Sequence, residues 1–159
     1  MRGWALLLLA ATGCGSKGAV TVLANIEQPS ASVDKPPGSL VSVLNGGFTL
    51  HVELGQVSPT ATDVSLQGTM TLVRPSDQAS LAVLKLAAVP APPYHLEPGA
   101  HVDARLTIAD AMPGQVLTQK EHDDICLART VQISGSLTDS ASGKPTPVTS
   151  ESFEVMPCL

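Results

Sequence analysis

Apolar and polar residues alternate through much of the sequence, and this alternation restricts the fold more than any other feature. Between Leu50 and Leu54, every second residue is apolar, with His51 and Glu53 between them. Successive side chains of a β-strand point to opposite faces, so such a stretch predicts a strand with one buried face and one wet face. The pattern recurs at residues 64–72, 102–108 and 131–137, and in the second of these it places His101, Asp103, Arg105 and Thr107 on the wet face. One-sided strands of this kind are typical of antiparallel sheets.

Residues that favour turns separate these stretches. Asn45-Gly46-Gly47 predicts a hairpin, because these residue types accept positive φ. Two proline-rich stretches, residues 28–39 and 89–98, predict loops or segments that cross between sheets. The spacing then predicts about eight strands, at residues 19–26, 40–45, 47–55, 63–74, 79–88, 101–109, 126–138 and 149–157. Residues 78–88 also fit one face of a helix, but we prefer a strand there.

The strand number and spacing predict an all-β fold. We expect an antiparallel two-sheet β-sandwich that resembles immunoglobulin-like domains, although the tryptophan of their core is absent. Glycine and proline are scattered rather than clustered, so no linker divides the chain. Residues 19–159 are therefore expected to form a single β-sandwich domain.

The first fourteen residues have the layout of an export signal. Arg2 supplies one positive charge, an apolar run extends from Trp4 to Ala11, and small residues precede Cys14. The run is much shorter than the ~20 apolar residues of a membrane-spanning helix. Ala11-Thr12-Gly13-Cys14 resembles the lipobox of bacterial lipoproteins, with Ala11 where leucine is usual. The alternative is an ordinary secretory signal that happens to lie near a cysteine.

The lipoprotein resemblance implies that residues 1–13 are a signal peptide and that Cys14 carries lipid as the new N-terminus. Residues 14–18 would then form a lipidated tether to the membrane. Each buried acyl CH₂ contributes about 0.8 kcal/mol, so two or three chains would hold the protein stably. In a Gram-negative cell, Gly15 and Ser16 in place of an aspartate imply sorting to the outer membrane, facing the periplasm.

If Cys14 carries lipid, Cys126 and Cys158 remain as an even pair in an oxidising compartment. We expect a disulfide between them, because no Cys-x-x-Cys spacing favours a redox or metal-binding pair. If the last two strands pair antiparallel with the cysteines facing each other, Val131 lies beside Phe153. Val155 would then face Arg129, which predicts a bulge or slipped register near the open end.

Composition and motifs argue against several functions. The net charge is -5 and no cluster of Lys or Arg occurs, so the chain would repel nucleic acid. After the signal segment, the only aromatic residues are Phe48, Tyr94 and Phe153, too few for a stacking surface for sugars. No GxSxG, HExxH or phosphate-loop motif occurs. We therefore expect neither an enzyme nor a nucleic-acid-binding protein.

Histidine and acidic residues are the remaining candidates for metal chemistry. Glu121-His122-Asp123-Asp124 could hold a cation, but neighbours on an extended chain point apart, so we prefer a solvated loop before Cys126. His101 and Met112 are similar to ligands of periplasmic copper carriers, but the downstream His-x-Met pair is missing. We expect no metal site, no cofactor and no catalytic residue.

The favoured function is that of a membrane-anchored envelope lipoprotein with a non-catalytic binding or structural domain, which could contact an envelope protein. A periplasmic metal carrier is the first alternative, with His51, His101, His122 or the acidic loop as ligands. A hydrolase whose site is assembled from residues far apart in the sequence is the second, because triads assemble in space.

Overall fold

The computed structural model describes residues 19–109 and 114–158. In chain order its elements are β1 (Val22–Asp34), β2 (Val43–Leu54), β3 (Thr62–Leu66), β4 (Thr71–Val73), β5 (Ser80–Val83), β6 (Leu86–Val89), β7 (Tyr94–Leu96), β8 (His101–Ile108), β9 (Gln115–Val116), α1 (Gln119–Ala128), β10 (Thr130–Asp139), β11 (Pro145–Thr149) and β12 (Phe153–Cys158). The predicted all-β class is confirmed, with one short helix added.

The strands form one curled sheet of twelve strands. Its main path runs β5-β4-β10-β12-β1-β2-β8-β6, while β3 and β11 also pair with β10, β7 pairs with β3, and β9 pairs with β2. One half of the sheet consists of β3, β4, β5, β7, β10 and β11, and the other of β1, β2, β6, β8 and β9. Strand β12 joins the two halves, because it pairs antiparallel with β10 and parallel with β1. The sheet is therefore mixed, whereas the alternation had suggested antiparallel pairing throughout.

The predicted hairpin at Asn45-Gly46-Gly47 is wrong, because these residues lie inside the continuous strand β2. A Cβ atom at Gly46 would collide with the Ser30 carbonyl oxygen of β1, and one at Gly47 with the Leu106 carbonyl oxygen of β8. The glycines are thus needed for close approach of neighbouring backbones rather than for a turn. Strand β1 also continues to Asp34, over the first part of the stretch 28–39 that was predicted as a loop, with a register shift between Glu27 and Ser30.

Two predicted strands are each divided in the structure. Residues 63–74 are interrupted near Gly68, which has φ +70°, and the resulting β3 and β4 both pair with β10. Residues 79–88 are divided at Leu84 and Lys85 into β5 and β6, which lie at opposite ends of the sheet path. With β7, β9 and β11 in segments expected to be loops, about eight predicted strands become twelve.

Residues 119–128 form helix α1, which corrects both a loop predicted at the acidic cluster and a strand predicted to begin at residue 126. Thr118 caps the helix by accepting a hydrogen bond from the Glu121 backbone N–H, and the Glu121 side chain accepts one from the Thr118 N–H. The side chains of Gln119 and Lys120 donate hydrogen bonds to the carboxylates of Asp123 and Asp124, one helical turn further on. Strand β10 therefore begins only at Thr130.

The predicted inward faces of the strands form a single hydrophobic core. Fully buried side chains come from both halves of the sheet, including Leu50, Val52, Val64, Leu72, Leu106, Ile133 and Leu137. The predicted pairing of Val131 with Phe153 is confirmed. The same register continues through Thr130 and Glu154 to a hydrogen bond from the Val155 N–H to the Arg129 carbonyl oxygen, so the bulge predicted there is absent from this ladder. The irregularity lies instead between β12 and β1, where the register shifts between Ala31 and Val33.

Cys126 and Cys158 form the predicted disulfide, with their Cα atoms 5.7 Å apart. Cys126 lies on α1 rather than on a strand, so the bridge joins the helix to the last residue of β12. Cys158 also pairs with Val33 of β1. The disulfide therefore links the helix to the strand that connects the two halves of the sheet.

Gln115 supports the corner between β5 and β6. Its side chain, in a residue only 4% exposed, donates from Nε2 to the Val83 carbonyl oxygen at 2.7 Å and accepts from the Lys85 N–H at 2.8 Å. Gln115→Leu leaves both backbone groups without this partner, so we expect unfolding free energy to fall by about 2 kcal/mol. Urea denaturation measures this, with the exposed Gln56→Leu as control. Equal midpoints and slopes for Gln115→Leu and the wild type would contradict this role.

Candidate binding surface on strands β1, β2 and β8

The outer face of β1, β2 and β8 carries His51 and His101, two of the three histidines considered as ligands in the sequence analysis. In the β2–β8 ladder, His51 lies directly opposite Asp103 and Glu53 directly opposite His101. Because alternate residues share a face, these four side chains project from the same side of the sheet, away from the core. We call His51, Glu53, His101 and Asp103 the histidine cluster.

The two histidines of the cluster lie close together, and one is oriented by a carboxylate. His51 Nδ1 lies 2.6 Å from Asp103 Oδ1, with the side chains 28% and 56% exposed. An ionised carboxylate only accepts, so Nδ1 is the donor and the neutral ring presents Nε2 as a free acceptor. The His101 ring lies 5.3 Å from the His51 ring, with the planes 30° apart. The cluster therefore offers two imidazoles to one ligand.

An open groove of about 540 Å³ lies beside the histidine cluster on the same face. Its lining residues are Gln28, Ser30, Gly46, Gly47, Phe48, Thr49, Arg105 and Thr107. The two glycines leave part of the lining without side chains, and Arg105 lies directly opposite Thr49. Within the described ranges, the Arg105 guanidinium forms neither a hydrogen bond nor an ion pair. Its donors and the hydroxyl groups of Thr49 and Thr107 are therefore available to a ligand that carries oxygen acceptors.

The other predicted ligand residues are not brought to this face. His122 lies on α1, which contacts β5 and β12, and its Nδ1 is 2.9 Å from Asp123 Oδ1. Hydrogen bonds from His122 and Gln119 lower the pKa of Asp123. Glu121, Asp123 and Asp124 lie on the same helix, and they form no metal-binding group among the residues that the structure describes. Met112 and Cys14 lie outside the described residues.

A third histidine pairing lies on β7. His95 Nδ1 is 2.8 Å from Asp63 Oδ1, and its Nε2 is 3.6 Å from Glu97 Oε1. The hydrogen bond to Asp63 raises the pKa of His95, and the charges of Asp63 and Glu97 act in the same direction. All three groups are more than half exposed, so water screens this ion pair. His95 is thus a solitary imidazole, unlike the pair at His51 and His101.

Two features are absent from residues 19–109 and 114–158. No three or more His, Cys, Asp or Glu residues there form a ready set of metal ligands. No helix in the same ranges has both the length and the apolar character needed to cross a bilayer.

Comparison with known proteins leaves the surface to be interpreted from its own geometry. No protein-family model, curated protein or solved structure matches the chain.

The alternation placed His51, His101 and Arg105 on wet faces, but nothing in the sequence pattern predicted the groove. The groove depends on the pairing of β2 with β1 and β8, and on the two glycines that sequence analysis assigned to a turn.

Proposed function

We propose that this protein is an envelope lipoprotein whose β domain acts by binding, without catalysis, while lipid on Cys14 holds it on a membrane. The observation that carries the proposal is the short apolar run that ends in small residues and Cys14. Only a few residues separate Cys14 from β1, which begins at Val22. The anchor would therefore keep the domain close to the membrane surface, in the outer membrane of a Gram-negative cell and facing the periplasm.

The outer face of β1, β2 and β8 supports a binding role. It combines the histidine cluster with an open groove in which the Arg105 guanidinium has no partner among the residues that the structure describes. Open, polar surfaces suit recognition of a partner, whereas catalysis usually takes place where water is excluded. We include in the proposal that the two halves of the sheet act as the layers of an immunoglobulin-like sandwich, and that the partner is an envelope protein.

Lipidation is tested by growing cells with an alkyne-tagged fatty acid and measuring the intact mass of the purified protein. We expect the wild type to begin at Cys14 and to carry acyl groups, and Cys14→Ser to lose the label completely. Cys126→Ser is the matched control and should keep the label, because that thiol belongs to the disulfide. A wild-type chain that begins at Met1, or one without acyl groups, would refute the anchor.

The binding surface is tested by photo-crosslinking in intact cells. A photoreactive residue at Thr107, in the groove, is expected to capture a defined protein, whereas one at Ser76, in an exposed turn elsewhere, is not. Equal adducts from the two positions, or adducts from neither, would argue against this face as the binding surface.

A further inference from the structure

We propose that His51 and His101 bind one divalent transition-metal ion, Cu²⁺ or Zn²⁺, on the outer face of β2 and β8, and that Asp103 is a positioning residue for His51. This inference is independent of the membrane anchor and of any protein partner. It concerns the histidine cluster alone.

The first step is the orientation of His51. Metal-binding histidines usually donate their second ring N–H to a carboxylate, which fixes the tautomer and makes the ligand nitrogen more basic. Asp103 occupies that position, 2.6 Å from His51 Nδ1. The pair therefore already has the arrangement of a metal ligand and its supporting carboxylate, and Nε2 is the nitrogen left to coordinate the ion.

The second step is the position of His101. Two imidazole nitrogens on one ion each lie about 2.0–2.1 Å from it, so the rings must lie side by side. The His51 and His101 ring centres are 5.3 Å apart, a separation that modest rotations of the side chains can convert into shared coordination. His101 is exposed, so its ring has room to turn. The β-ladder holds the two backbones in fixed register and keeps the histidines together.

The third step concerns the remaining coordination positions. Glu53 lies directly opposite His101 and can supply a carboxylate oxygen, while water occupies the open side. The described residues contain no ready set of three ligands. The site therefore forms as the histidines turn toward the ion. Imidazole ligands favour Cu²⁺ and Zn²⁺ over Ca²⁺ or Mg²⁺, which take oxygen ligands.

Calorimetric titration of the full-length protein in detergent with CuSO₄ or ZnCl₂, in a buffer that does not chelate, tests the proposal. We expect one ion per chain for at least one of the two metals. His51→Ala and His101→Ala should each weaken binding by about 100-fold or more, since each removes one of two imidazole ligands. Asp103→Asn should weaken it by about 10- to 100-fold through loss of its support for His51.

His95→Ala and His122→Ala are the matched controls, because each removes an imidazole that is paired with a carboxylate but lies on another element. Both should bind the metal as the wild type does. Electron paramagnetic resonance of the Cu²⁺ form should show two coupled imidazole nitrogens, and one in His101→Ala. No heat with either ion, unchanged affinity in His51→Ala and His101→Ala, or loss of binding in a control would overturn the proposal.

Discussion

Replacing both Cys126 and Cys158 with serine is expected to lower the free energy of unfolding by about 3–4 kcal/mol. The cysteines are 32 residues apart in sequence, so the bridge closes a loop that restricts the unfolded chain. In the chain-entropy model, a loop of that length contributes a stabilisation of this size. A domain of this class is stable by about 5–15 kcal/mol in total, so the loss is large.

Equilibrium denaturation in guanidinium chloride measures the effect of the missing bridge. Wild-type protein treated with a reductant should unfold at nearly the same denaturant concentration as the double variant, because both lack the bridge. Cys14→Ser is the control, since Cys14 takes no part in the disulfide. If the double variant unfolded with the oxidised wild type, the bridge would not contribute to stability.

Side-chain direction could be predicted from the sequence because it depends only on the local two-residue period of a strand. The buried positions of β2, β8 and β10 follow that period. The disulfide could be predicted as well, since it follows from an even number of cysteines once Cys14 is set apart. These features need no knowledge of which strands are neighbours.

Strand boundaries and neighbours could not be predicted in the same way, because they depend on contacts between distant segments. Gly46 and Gly47 are residue types that also occur in turns. Only the close approach of the β1 and β8 backbones shows that they lie inside a strand. The division at Leu84 and Lys85 likewise has no local signal in the sequence. It arises because β5 pairs with β4 and β6 pairs with β8, at opposite ends of the sheet path.

Helix α1 differs from these cases, because its start carries a local signal. The spacing of Thr118 and Glu121 fits a capping box, and the pairs at i and i+4 support the same helix. The strand predicted over residues 126–138 covers only the last three residues of this helix, 126–128. The capping box therefore marks where the helix begins, although it does not mark where the helix ends and β10 begins.

The candidate site illustrates the same limit. His51 and His101 were each placed on a wet face, but their proximity requires the register that sets Glu53 opposite His101. A shift of one residue in that ladder would move one histidine to the buried face. The four residues of the histidine cluster are thus brought together by strand pairing. His122 does not belong to the cluster because it lies on α1, which the sequence analysis did not predict.

Asp139 is the second position at which one substitution is expected to have a large effect. Its residue is only 5% exposed, and its carboxylate accepts hydrogen bonds from the backbone N–H groups of Ala141 and Ser142, at 3.1 and 2.6 Å. The Ser142 hydroxyl and, at 3.5 Å, the Thr62 hydroxyl also donate to it. The carboxylate thereby holds the turn between β10 and β11 and ties it to β3. Asp139→Ala should lower the unfolding free energy by about 2–3 kcal/mol, because buried donors lose a charged acceptor.

The contribution of Asp139 should also depend on pH in a definite direction. Burial opposes its ionisation, but the hydrogen bonds from Ser142, Ala141 and Thr62 outweigh burial and hold the pKa of this carboxyl below its ordinary value. The folded protein therefore holds the ionised form more strongly than the unfolded chain does. The stabilisation is complete above the pKa of the unfolded chain and is lost as the pH falls through the lower folded pKa.

Urea denaturation of the wild type and Asp139→Asn at several pH values checks this, because asparagine keeps the shape of the side chain and removes its charge. The difference in unfolding free energy should be constant above about pH 5 and should shrink steadily below about pH 4. Asp77→Asn, in an exposed turn, is the control and should show a much smaller difference at neutral pH. If the difference for Asp139→Asn stayed the same at every pH, ionisation of this carboxyl would have no part in stabilising the turn.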